Sequence, residues 1–186
     1  MGEIKSTLDL VMERTKDMVQ SDEERRRSAE QEWDNKARGW LLRLLEGELL
    51  PGELPNLFKD MEPAAKKGLQ KGLIGAMIES LDLDRDNRFV LAGLGVLSGE
   101  AVGPLIRRAE EVLKSYDLEK KKLADQAGRR LLRDLAAEGI SGSAVKPKFE
   151  DDAGYLEADA GLKKNFRGRL SSVRAEMLEK SDRRPG

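Results

Sequence analysis

Apolar side chains recur along most of this chain at steps of three and four, the period that lines one face of an α-helix. Ile4, Leu8, Val11, Thr15 and Met18 form an a/d seam lasting just over two heptads, too short for a coiled coil to be asserted. Ser21 followed by Glu24 is a capping-box pattern, so a second helix is predicted from near Asp22. Its opening turn is acidic and then basic, which suits the positive end of a helix and allows i,i+4 pairs such as Glu23 with Arg27. Trp33, Ala37, Trp40, Leu41, Leu44 and Leu45 give it an apolar face, closed by Leu49 and Leu50 before Pro51-Gly52.

The rest of the chain reads the same way. Pro55 and Pro63 bracket a short turn or helix carrying Leu57, Phe58 and Met61. The next helix is predicted over 63–81, with Pro63 well placed at its start and Leu69, Leu73, Ala76 and Met77 near one face. Residues 87–97 read as a buried helix, with a strand at 89–92 as the competing assignment. A long helix over 104–138 is marked by Leu105, Ile106, Ala109, Leu113, Tyr116, Leu123, Ala127, Leu131 and Leu135. Lys120-Lys121-Lys122 crosses it where the stripe is thin, and Gly139 follows its end. Residues 140–154 are irregular, and a last helix over 156–180 shows Leu162, Phe166, Leu170, Val173 and Met177.

The expected fold is therefore all-α, a helical bundle core with long amphipathic N- and C-terminal helices. Residues 1–50 are expected as a helical arm or hairpin, 51–138 as the core (built on 69–135), 139–155 as an irregular linker, and 156–186 as a C-terminal helix with a basic tail.

Composition narrows the chemistry. Charged residues reach 37% and aromatics only 4%, which suits long helices with solvated faces and not a β-sandwich. There is no Cys, which removes disulfides, thiolate nucleophiles and Cys-based metal sites. There is no His, which removes the usual general base near neutral pH and the commonest metal ligand. Any catalysis would fall to Asp, Glu, Lys, Tyr, Ser or Arg. The net charge of −1 is uneven, at −5 over residues 1–62 and +5 over 162–186. The start Met1-Gly2 with Ser6 formally fits an N-myristoylation pattern, but Glu3 is an unfavourable neighbour and an ordinary initiator is the simpler account.

Four motifs invite stronger readings. Asp82, Asp84 and Asp86 alternate as in a calcium loop, yet Asn87 and Gly93 stand where Gly and Glu are needed, so a charged turn with Asp86 or Asn87 capping the next helix is expected. Gly93, Gly95 and Gly99 approximate a dinucleotide loop with the last glycine displaced by one. Close packing between helices, shared with Gly68, Gly72 and Gly75, is the plainer account. Residues 89–106 are mostly apolar but contain Glu100 and Pro104, so a buried hairpin is expected and not a membrane span. Lys163, Lys164, Arg167 and Arg169 surround Phe166 as in a phosphate-contacting patch, but Phe166 also fits the helix stripe.

The opening Gly2-Glu3-Ile4-Lys5-Ser6-Thr7-Leu8-Asp9-Leu10-Val11-Met12-Glu13-Arg14-Thr15 resembles the start of an uncharacterised family of small helical bacterial proteins. Gly139-Ile140-Ser141-Gly142-Ser143-Ala144-Val145-Lys146-Pro147 is also similar to theirs. The resemblance implies a bacterial cytoplasmic setting and transfers no activity and no site residues.

The expectation is a non-catalytic interaction or scaffolding module that needs no cofactor and no metal. Its partner is another protein or a second copy of itself, met through Leu8, Val11, Trp33 and Trp40. Two alternatives stand beside it. One is nucleic-acid or anionic-surface binding through Lys163, Lys164, Arg167 and Arg169, and the other is a His-free nucleotide-binding enzyme using the glycine cluster.

Overall fold

The computed structural model describes residues 22–100 and 102–182, so the seam containing Leu8 and Val11 lies outside the described residues. Among the described residues the fold is all-α. Its helices are α1 (Asp22–Leu45), α2 (Pro63–Ser80), α3 (Arg88–Ser98), α4 (Gly103–Ala137) and α5 (Ala153–Asp182), with short 3-10 segments at Pro51–Phe58 and Phe149–Asp151. None of these helices is long and apolar enough to cross a membrane.

α1 has no large apolar side chain before Trp33, and residues 23–32 are exposed apart from half-buried Ala29. From Ala37 onward its apolar face is buried through Trp40, Leu41 and Leu44. The helix ends at Leu45, earlier than the sequence pattern implies. Gly47 takes a positive φ of 76°, and the amides of Glu48 and Leu49 both donate to the Arg43 carbonyl, which closes the C-terminus. Leu49 is thereby turned inward and Leu50 outward.

α1 and α2 run in the same direction. Trp33 lies against Gly68, and Ala37 against Gly72. The chain must therefore travel back along the pair before α2 begins, and residues 46–62 do this as a strap. Along it Gly47 meets Phe89, Leu54 meets Leu44 at Gly93, and Phe58 meets Trp40 edge-on at 5.3 Å. Leu54 and Phe58 are fully inside. Pro55 costs little there because a 3-10 turn on the surface has few intrahelical bonds to lose.

α3 is a helix throughout, and the strand alternative for 89–92 is replaced by it. Val90, Leu91, Leu94 and Leu97 recur at helical spacing and are buried against α2 and the strap. Gly93 explains the close approach. A Cβ there would stand 2.6 Å from Met77 Cε and 3.0 Å from Leu54 Cδ1. Gly93 and Gly95 lie inside this helix, so their amides are spent on its own backbone, and the nucleotide-loop reading is corrected to helix packing.

α4 and α5 form a long antiparallel pair, pinned from Arg108–Glu176 at one end to Arg130–Asp152 at the other. The core proper uses Ala37 to Tyr116 plus Phe166, Leu170, Val173 and Met177. Each fully buried Leu, Val or Met in it contributes about 1.5–3 kcal/mol. The core thus takes in the end of α1 and most of α5, and it does not extend along α4 to Leu135. Beyond Tyr116 only Ala127 of α4 is fully buried. The remainder of α4, with the start of α5, continues past the core as a two-helix arm.

Candidate functional site

Two features define the arm. The first is a polar knot at its root. The turn between α2 and α3 carries Asp82, Asp84 and Asp86, and their carboxylates diverge. Asp82 accepts from the Asp84 amide, and Asp86 takes the Arg88 guanidinium. Asn87 does not cap α3 with its side chain. Its amide instead donates back to the carbonyls of Asp82 and Arg85, locking the turn. The Arg88 amide is met by Asp86. Calcium-loop geometry is absent, and among the described residues no group of three or more acidic, His or Cys side chains could hold a metal.

Asp84 faces the α4–α5 seam. Tyr116 Oη donates to it at 3.1 Å, Lys120 Nζ at 3.1 Å, and Lys163 Nζ lies 3.8 Å away while also pairing with Asp159 at 3.1 Å. Burial alone would raise the Asp84 carboxyl, but hydrogen bonds from Lys120 and Tyr116 and the charges of Lys120 and Lys163 outweigh it, so it lies below its ordinary value. The Asp84 hydrogen bond holds Lys120 above the usual lysine value, and the Asp159 bond does so for Lys163. Burial raises the Tyr116 phenol. Sequence reasoning missed this cluster. The signal was available, because Lys120 sits four residues after Tyr116 and Lys163 three before Phe166, both on apolar stripes.

The second feature is a groove of ≈ 680 Å³ between the two helices of the arm. Leu123 and Leu162 lie at its base beside buried Phe166, and Glu119, Lys122, Gln126, Asn165 and Arg169 make most of its exposed lining polar. Ala158 and Gly161 keep it open, and a Cβ on Gly161 would meet no atom within 4 Å. The Arg169 guanidinium lies 4.5 Å from the Phe166 ring centroid, where the ring face attracts a cation.

The residues singled out from sequence are spread over three places. Trp40 is 8% exposed and anchors α1 to its own strap through Phe58. Trp33 is half-buried and borders a smaller cleft of ≈ 210 Å³ with Met61, Ala65 and Leu69. On α5, Lys163 is engaged by Asp84 and Asp159, and Arg169 covers Phe166 at the groove. Lys164 and Arg167 are exposed and, among the described residues, unpaired. The four cations do not converge. Lys164 and Arg169, five residues apart, lie about 140° apart around the helix. Comparison with family models, with curated proteins and with solved structures finds no match for this chain.

Proposed function

We propose that this chain is a non-catalytic helical interaction module that receives an amphipathic helix of a partner protein in the α4–α5 groove. The observation that carries this reading is the groove itself, an open and mostly polar trough with a narrow apolar base at Leu123 and Leu162, beside a stretch of α4 that adds little to the core. A helix docks in such a trough by laying a narrow apolar stripe on Leu123 and Leu162 while its flanks meet the polar lining. Lys122 and Arg169 outnumber Glu119 among the charged rim residues, so a stripe flanked by acids is the better fit.

Phosphate binding by α5 has less support, because Lys163 is committed to two carboxylates and Arg169 lies on a different side from Lys164.

A photocrosslinking residue at Gln126, used in the native host, tests the proposal against the same residue at exposed Leu118. Crosslinks should be specific to Gln126, map to an amphipathic helix, and vanish in Gly161→Phe, whose side chain fills the trough without touching the core. Crosslinking undiminished by Gly161→Phe would remove the groove from consideration.

A further inference from the structure

The two edges of the α4–α5 groove are built differently. On α4 the edge is tall and basic. Lys122 lines the groove, and Arg129 and Arg133 follow it at steps of seven and four. At about 100° per residue the three fall within about 40° of one another around α4, on the side that carries Gln126. All three are exposed, and none has a carboxylate partner among the described residues. Arg129 and Arg133 repel each other across one turn, a strain that an acid set beside them relieves. Glu119 lies on the core side of Lys122, where Arg169 also lines the groove, so charge is balanced at that end. From Lys122 outward the groove side of α4 carries charge of one sign.

On α5 the edge is low and neutral. Ala158, Gly161, Asn165 and Gly168 recur at steps of three and four and are all exposed. A Cβ on Gly161 or Gly168 would meet no atom within 4 Å. The loop that joins the two helices leaves this side open. Pro147 Cγ and Phe149 Cδ1 stand 3.9 Å and 4.0 Å from where a Cβ of Gly128 would lie, and Gly128 is about 160° around α4 from Gln126.

We propose that the helix held in the groove is acidic on one flank only, lying close along α5 and setting carboxylates against Lys122, Arg129 and Arg133. This rests on the groove reading above and adds the charge pattern and length of the occupant. Helix axes approach most closely where the contact residues are small, so the occupant's backbone settles over Gly161 and Gly168. The long cations of α4 then meet its other flank, and opposite charge there sets its register. From Glu119 to Arg133 α4 rises by about 21 Å, so the occupant needs about four turns. A polyanion such as RNA would be gripped by cations on both edges, and the α5 edge is neutral from Ala158 to Gly168, so an acidic helix is the better fit.

Binding of designed peptides to the full chain tests this. Two helical peptides of about 18 residues share one leucine stripe. One carries Glu along a single flank at the seven-and-four spacing, and the other carries Lys there. Fluorescence anisotropy should show the Glu peptide binding at least about tenfold more tightly at low salt, with the difference shrinking as salt rises. Lys122→Glu/Arg129→Glu/Arg133→Glu should reverse the preference, and the corresponding triple change to Gln should abolish it. Lys114→Glu/Lys121→Glu/Arg167→Glu, an equal charge change at exposed cations on other sides, should leave it intact. Circular dichroism checks that each variant keeps its helicity. A preference that survives the reversal of Lys122, Arg129 and Arg133 overturns the inference. If Gly161→Phe still abolishes binding in that case, the groove reading stands without it, whereas binding indifferent to Gly161→Phe removes both. Equal binding of the two peptides, or binding of neither, also overturns it. So does tighter binding of a mixed-sequence single-stranded RNA that is lost in the same triple variant.

Discussion

The seating of Trp33 on α2 makes a sharp prediction, because α2 contains three glycines in very different surroundings. A Cβ on Gly68 would stand 2.5 Å from Trp33 Cζ3, and the indole is rigid, so the ring must withdraw by about 1 Å to restore contact distance. A Cβ on Gly72 would meet Asp34 Oδ1 at 3.3 Å, an exposed carboxylate that can yield. A Cβ on Gly75 would meet nothing within 4 Å. All three gain the same helix propensity on mutation to Ala, about 1 kcal/mol at most. Gly75→Ala should therefore stabilise by roughly 0.5–1 kcal/mol. Gly68→Ala carries an overpacking cost of about 1–3 kcal/mol and should come out destabilised, by up to about 2 kcal/mol. Gly72→Ala should fall between. Urea melts of the three variants measure the series, and each kcal/mol should move the midpoint of thermal unfolding by about 2–4 °C. In a Trp33→Ala background the Gly68 penalty should disappear, giving a coupling of about 1–3 kcal/mol. If Gly68→Ala stabilises as much as Gly75→Ala, the indole is not where the packing places it.

Further predictions concern the knot and the arm. Asp84→Asn should cost about 1–2 kcal/mol near neutral pH, a figure reduced because the Asp84 side chain is 37% exposed. Because the folded carboxyl lies below the ordinary 3.8, the wild-type advantage is complete above that value and fades as pH falls through and below it, so acid melts of the two proteins should converge. Hydrogen exchange should be faster for residues 118–137 than for 105–116 of the same helix, since the latter carry nearly all its buried side chains. Leu118→Lys, at a leucine 52% exposed, should change stability by no more than about 0.5 kcal/mol, whereas Met77→Ala should cost about 2–5 kcal/mol by chemical denaturation.

Helix identity was legible in the sequence wherever apolar residues kept a period of three to four, and α2, α3, α4 and α5 lie close to their expected bounds. The end of α1 was not, because Leu49 and Leu50 continue an apolar run and only the positive φ of Gly47 shows that the chain has turned. Nor was the extent of the core. The stripe of α4 continues to Leu135, but a stripe records which face is inward and not how far a neighbouring helix accompanies it. The groove was illegible for a different reason, being made by what Ala158 and Gly161 lack. The Asp84 knot was half legible, as two lysines on apolar stripes that called for a carboxylate the sequence could not locate.

The strap between α1 and α2 has a consequence for how this chain tolerates change in length. Most surface connections accept insertions and deletions, and residues 140–148 should do so, having neither helix nor buried side chain. The strap cannot, because it joins two parallel helices end to start and places Leu54 and Phe58 at fixed heights beside Leu44 and Trp40. Losing one residue from Pro51–Phe58 would shorten its reach by about 2 Å and rotate both anchors out of register. Homologues of this fold should vary freely in length at one joint and hardly at all at the other.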